Sequence, residues 1–246
     1  MQSQTALDVI VTAEYGSRAT GVAGRESDRD LMSVFVERPA QVTGLESAKT
    51  LAGSTAAAGR RSERDDVDAV IYPLRHWAAL AAAGNPTALL LLFVPEHDVV
   101  TDAWWSVQGI RSAFVSQEAG HRFRGYSWSQ REALTGHRST RTNRPELVAV
   151  HGYDTKFAYH MVRTALHGVE LMQTGAVALP LQGESRRMLM AVRAGEMSFD
   201  EVLALSDALD ARLAGAIGAS RLPETADRGR VNEVLHRVHL ERWAAA

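Results

Sequence analysis

"EYGSRATGVAGRESDRDLMSVFVE", residues Glu14 to Glu37, is the stretch on which the fold turns. A glycine and a serine make a turn, Gly21 and Gly24 loosen the loop behind it, and Asp28 and Asp30 then stand at the mouth of an apolar run. That run reads as a strand, whose two-residue period points both carboxylates the same way. Two neighbouring anions repel each other, and a hard divalent cation such as Mg²⁺, held between carboxylates and substrate phosphates, relieves the repulsion. Upstream, Gly16 lets the backbone approach a ligand closely, while the Ser17 hydroxyl and the N–H groups after it can donate to phosphate oxygens. By itself an Asp-x-Asp pair is more often a pair of turn formers. The combination is rarer, and it calls for a third carboxylate.

"DDVDAVIY" offers one. Asp66 and Asp68 share one face of a further expected strand, with Val67, Ala69 and Ile71 on the other. If that strand lies beside "DLMSVFV", either aspartate could reach the same metal. Asp68 is preferred because it sits closer to the apolar strand body.

"ALDVIVTAEY" reads as a strand as well, ended by the Gly-Ser turn. "LRHWAALAAAG" has helical composition and stops at a glycine, after which Asn85 can cap a new helix with Pro86 at its first position. From about Ser116 the β signal fades apart from the brief "GAVALPL". "SWSQREALTG", "DTKFAYHMVRTALHGVELMQTG", "SRRMLMAVRAGEMSFDEVLALSDALDARLAGAIG" and "RGRVNEVLHRVHLERW" each read as an amphipathic helix. The expected organisation is an α+β core over residues 1–112, a mixed β-sheet with helices, followed by a mainly helical domain over 113–246.

Composition narrows the chemistry. The 246 residues are 46% hydrophobic and 23% charged, as in a globular protein with a sizeable core. A net charge of −2 announces no nucleic-acid partner for the chain as a whole. There is no cysteine, so thiolate zinc sites, disulfides and cysteine nucleophiles are excluded and any metal is held by oxygen or imidazole. The apolar run "WAALAAAGNPTALLLLFVPE" is broken at Gly84, Asn85 and Pro86, so no membrane span is expected. No secretory signal is visible, and the expected location is the cytoplasm.

The segment "GSRATGVAGRESDRDLMSVFV" resembles the signature of the DNA polymerase β nucleotidyltransferase superfamily, in which a Gly-Ser turn precedes an Asp-x-Asp strand and a third acid lies on a neighbouring strand. "DVDAVIYPLRHWAALAAAGNPTALLLLF", "FRGYSWSQ" and "KFAYHMVRTALHGVELMQTGAVALPL" resemble successive blocks of the predicted nucleotidyltransferase family associated with RNA repair operons and found also in phages. In "YPLRHW", Pro73 and His76 depart from that family's pattern, where a more acidic or polar residue and a lysine are expected.

The resemblance implies a polymerase-β-like core, with the helical domain completing the nucleotide cleft. It also implies transfer of a nucleoside monophosphate from an NTP to an acceptor: an RNA end, a protein hydroxyl or a small molecule. Asp28, Asp30 and Asp68 would be the catalytic metal ligands for Mg²⁺ or Mn²⁺, and Gly16 and Ser17 would hold the β- or γ-phosphate. Triphosphate charge requires further cations. Lys156, His160, Arg163, His167 and Glu170 recur on one stripe of an expected helix, and under the resemblance Lys156, His160 and Arg163 become phosphate contacts. Without it, the stripe reads more readily as a solvated face.

"HRFRGYSWSQREALTGHRSTRTNRPE" carries six arginines against two glutamates, interleaved with Phe123, Tyr126 and Trp128. Such a mixture suits RNA or tRNA, although Trp128 reads as a core residue. Two other readings stand beside the leading one: a toxin-like nucleotidyltransferase acting on tRNA or a partner protein, and a non-catalytic nucleotide-binding regulatory module. The three aspartates argue against the last, since a pure binder has no need of a full metal set.

Overall fold

A computed structural model of the chain describes residues 7–24, 27–56, 65–137 and 144–245. Its elements run β1 (Asp8–Glu14), α1 (Gly16–Ala19), β2 (Arg29–Val36), α2 (Pro39–Thr43), β3 (Leu51–Ser54), β4 (Val67–Pro73), α3 (Leu74–Ala82), α4 (Pro86–Leu90), β5 (Val99–Val100), α5 (Asp102–Gln108) and α6 (Arg111–Phe114). Then follow α7 (Gln117–Leu134), α8 (Pro145–His151), α9 (Thr155–Thr174), α10 (Gly183–Ala194), α11 (Phe199–Ala219) and α12 (Arg228–Ala244). The fold is α+β, as expected. Two compact units are present: Met1–Ala82 with Thr87–Phe114 and Asp227–Ala246, and Ala83–Pro86 with Val115–Ala226.

The first unit is built on a mixed sheet in the order β3-β4-β2-β1-β5. β1 runs antiparallel to β2, and β2 runs parallel to β4. The start of β2, the start of β4 and the end of β1 therefore meet at one end of the sheet. Ile10, Val11, Ala13, Met32 and Val34 are fully buried, so the sheet is anchored at its middle by the β-branched and apolar residues that made these strands legible. On α3, Leu74, Trp77, Ala78, Ala81 and Ala82 form one buried face at helical spacing. Trp77 packs against Trp104 and Phe114, with ring centroids 5.1 and 5.6 Å away, and its indole N–H donates to the Ala88 carbonyl at 3.1 Å. Pairing the one polar atom of so large a side chain lets the core take it without an orphaned donor.

The last helix, α12, sits in this first unit, whereas the sequence reading placed residues 113–246 together. Long-range pairs hold it there. Arg242 pairs with Asp8 through both carboxylate oxygens, the Trp243 indole N–H donates to the Glu37 carbonyl at 2.7 Å, and His239 Nε2 lies 3.0 Å from Glu37 Oε2. His239 and Glu37 are both buried. His239 Nδ1 faces the Leu235 carbonyl at 2.7 Å, and since a carbonyl only accepts, Nδ1 is the donor. Glu37 Oε1 in turn accepts the Arg75 backbone N–H at 3.1 Å, so one buried carboxylate ties the end of β2 to both α3 and α12.

In the second unit α9 is the central helix, packed by α7, α10 and α11. Asp154 caps α9, accepting from the Lys156 and Phe157 N–H groups at 3.0 and 3.3 Å. The stretch expected as one long helix from Ser185 to Gly218 is two, α10 and α11. Gly195, at φ 69°, ends the first in the left-handed conformation, and Ser198 with Glu201 forms a capping box that starts the second. "GAVALPL" forms no strand. Among the described residues no single helix is long and apolar enough to cross a membrane.

Candidate metal and nucleotide site

The sequence folds the site locally in three moves. β1 ends at Glu14, and the Tyr15 N–H donates to the Asp30 carbonyl at 2.9 Å, which fixes the turn against the start of β2. Gly16, at φ 71°, then opens α1, so the expected Gly-Ser turn is the first turn of a short helix. A Cβ at Gly16 would strike Asp30 Oδ2, so at this position glycine is needed both for backbone freedom and for the space the carboxylate fills. The Thr20 hydroxyl closes the turn by donating to the Gly16 carbonyl at 2.6 Å.

The carboxylates meet because β2 and β4 are parallel neighbours. Asp30 and Asp68 are register partners, and Asp28 stands one step before β2. Asp28, Asp30 and Asp68 each offer an oxygen within 4.8 Å of the others, all three half-buried. Asp66 goes elsewhere: its carbonyl accepts the Arg29 N–H at 3.0 Å and its Oδ1 accepts the Thr55 hydroxyl at 3.2 Å. Three hard oxygen donors on two hydrogen-bonded strands match the donor chemistry of Mg²⁺ or Mn²⁺. Beside them, burial pushes the Tyr15 hydroxyl up to about 12, with Asp30, Tyr72, Asp68 and Asp28 adding to the effect, so it stays protonated.

Two arginines that sequence reasoning missed brace this cluster. Arg29, between the two aspartates, reaches Glu14 at 2.5 Å and Asp98 at 2.9 Å, pinning the start of β2 to the end of β1 and to the residue preceding β5. Arg18 donates from Nε to the Asp28 carbonyl at 3.1 Å and from Nη2 to the Ser27 carbonyl at 3.0 Å. Neither residue type nor spacing announces a side chain that binds backbone carbonyls. Pro73 ends β4, and His76, the other departure from the expected pattern, is exposed and bonded through Nδ1 to the Thr50 hydroxyl at 2.9 Å.

The second unit holds the expected ionisable stripe of α9, and its members differ. Lys156 is exposed, His160, Arg163 and Glu170 are half-buried, and His167 is 1% exposed. His167 is thus a core residue, with neither ring nitrogen hydrogen-bonded among the described residues. Burial, with Arg163 nearby, holds it down at about 3. Burial also drives His160 down to about 2, helped by Arg163, Lys156, Arg144 and Arg193, so it is neutral. Arg163 and Arg193 both lie 5.2 Å from the Tyr159 ring, and Arg163 donates to the Tyr159 hydroxyl at 3.2 Å. Arg144 and Arg193, which the sequence reading did not single out, add to the positive charge around His160.

The arginine-aromatic segment resolves differently from its reading. Trp128, expected in the core, is 51% exposed, on the stripe of α7 that also carries Arg124 and Arg131, the latter's guanidinium 5.5 Å from its ring. Arg124 is paired with Asp210 at 2.7 Å and Arg131 with Asp207 at 2.5 Å, so two of the six arginines tie α7 to α11. Arg138 and Arg141 lie outside the described residues.

A protein of Enterobacteria phage T4, described as an uncharacterized 38.9 kDa protein in the nrdC-mobD intergenic region, is 29% identical over 114 residues, which is 45% of this chain. The match covers 34% of the phage protein, so the two align over about a third of that relative's length. A family model described as the RNA repair pathway DNA polymerase beta family, RlaP, matches residues 1–237. With a family match across nearly its whole length, the chain belongs to the RNA repair pathway DNA polymerase beta family, within a superfamily of nucleotidyltransferases.

Proposed function

We propose that this protein is a metal-dependent nucleotidyltransferase that moves a nucleoside monophosphate from an NTP to an acceptor hydroxyl, releasing pyrophosphate. One observation carries the reading: the mutual approach of Asp28, Asp30 and Asp68 within 4.8 Å, beside a glycine turn whose backbone can approach phosphate. In the reaction the acceptor oxygen bonds to the α-phosphorus and its proton passes to water. The bond from the α-phosphorus to the bridging oxygen of the β-phosphate breaks, and pyrophosphate takes the electron pair.

Bound between these carboxylates, Mg²⁺ or Mn²⁺ would activate the attacking oxygen and neutralise charge on the leaving pyrophosphate. The chain's own part is to hold the three carboxylates at fixed spacing. Asp28 and Asp30 would ligate both ions, and Asp68 would complete the site on the nucleophile's side. Ser17 and the backbone at Gly16 would receive the β- or γ-phosphate. The phosphate contacts assigned to Lys156, His160 and Arg163 rest on their local surroundings: a half-buried arginine, an exposed lysine and a neutral histidine free to donate. Among RNA end, protein hydroxyl and small molecule, we favour the RNA end, since the family is described by an RNA repair pathway.

Incubation with each α-labelled NTP, Mg²⁺ or Mn²⁺, total RNA and cell extract tests the reading. Label should pass to an acceptor with wild type and not with Asp28→Ala/Asp30→Ala. Equal labelling by the two proteins would refute it, and labelling by neither across these acceptors would refute it in favour of a regulatory nucleotide binder.

A further inference from the structure

One side chain, Arg18, links the Gly16–Ser17 turn to the backbone that leads into β2. Arg18 belongs to α1, the turn assigned above to the triphosphate, yet its guanidinium is spent nine and ten residues away, on the carbonyls of Ser27 and Asp28 at 3.0 and 3.1 Å. Both bonds come from a cation to backbone oxygens, the stronger class of hydrogen bond, and two bonds from one planar fork fix direction as well as distance. Of the residues so held, Ser27 is buried, its N–H donates to the Gly24 carbonyl at 3.1 Å, and its hydroxyl accepts the Gly24 N–H at 2.9 Å. On the α1 side, the Gly21 N–H donates to the Arg18 carbonyl at 2.9 Å and the Val22 N–H to the Ser17 carbonyl at 3.0 Å. The turn that would meet phosphate and the backbone that carries Asp28 are thus tied through one side chain.

We propose that Arg18 is a positioning residue that couples nucleotide binding at the Gly16–Ser17 turn to metal binding at Asp28. The inference rests on the reading of the triad as a metal site, and gives Arg18 a role distinct from touching either ligand. Phosphate that orders α1 orders the Asp28 carbonyl through the same guanidinium, and a cation that fixes Asp28 holds α1 ready in return. Such coupling is reciprocal, so it can be read from either ligand. Arg242 of α12 pairs instead with Asp8 at the start of β1, the end of that strand away from the acids, which makes it the control.

The experiment is a binding cycle on the full chain. Dissociation constants for the four α,β-methylene NTP analogues are measured by calorimetry with and without Mn²⁺, for wild type, Arg18→Ala, Arg18→Lys and Arg242→Met. The factor by which Mn²⁺ tightens the nucleotide should fall about tenfold in Arg18→Ala, less in Arg18→Lys, which keeps the charge but not the planar fork, and little in Arg242→Met. Ethylguanidinium added to Arg18→Ala should restore part of the factor, which a purely structural loss would not allow. An unchanged factor in both Arg18 variants overturns the coupling while leaving the metal site standing. Indifference of wild-type nucleotide binding to Mn²⁺ defeats instead the reading of the site on which the inference rests.

Discussion

Asp30 and Asp68 are register partners on two parallel strands, so one hydrogen-bonded ladder sets the spacing of two of the three site carboxylates. Asp66, one residue before β4 begins, serves the backbone and Thr55 instead. Asp68→Asn should therefore lower nucleotide transfer by more than the ten- to hundredfold typical of an outer-shell partner, whereas Asp66→Asn should leave the rate within about tenfold and lower stability. Steady-state transfer rates and melting curves on the two variants separate the roles. Equal loss of transfer in both would remove the distinction.

Gly16→Ala should both strain and displace. A φ of 71° disfavours alanine, and its methyl would meet the Asp30 carboxylate. The expected loss of stability is about 1–3 kcal/mol, with metal affinity falling alongside it because Asp30 must move. Denaturant melts together with Mn²⁺ titration check both parts.

Loss of His239 should loosen α12 by leaving Glu37 as a buried carboxylate without its ring partner. His239→Leu is expected to cost about 3–5 kcal/mol, the scale for breaking one side of a buried pair. Arg242→Met, which removes a partly exposed pair with Asp8, should cost less than about 1 kcal/mol. Urea denaturation of the two variants gives the comparison.

The protein should weaken in mild acid. Folded His160 and His167 titrate near 2 and 3, far below an unfolded histidine at 6.5, so below that value the unfolded chain binds more protons and stability falls as pH drops. Each such histidine steepens the loss by about 1.4 kcal/mol per pH unit between the unfolded and folded values. A His167→Phe variant that folds should show a shallower decline from pH 6 to pH 4 in urea melts. An unchanged slope would mean that His167 is not held neutral in the fold.

Much of the first unit was legible because its central strands announce themselves. β1, β2 and β4 are β-branched or apolar runs bounded by turn residues, and the aspartates stand where those runs begin. β3 and β5 are only four and two residues long and wholly exposed, so neither carries a periodic apolar signal. The place of α12 depends on Arg242 meeting Asp8 and His239 meeting Glu37, pairs 234 and 202 residues apart in sequence, which no local pattern encodes. The α9 stripe shows a different limit, since exposed Lys156 and buried His167 occupy equivalent positions by spacing alone. Trp128 misled for a related reason: an aromatic residue at helical spacing reads as core, whereas its stripe of α7 is the one on which Arg124 and Arg131 reach their α11 partners.

Direct measurement of Mn²⁺ binding, by the paramagnetic signal of the free ion, tests the three-carboxylate site without needing the acceptor. Wild type should bind Mn²⁺, and Asp28→Asn, Asp30→Asn and Asp68→Asn should each weaken it by more than about tenfold while keeping the wild-type melting transition. Binding of equal strength in wild type and in all three folded variants would contradict a metal site at these aspartates.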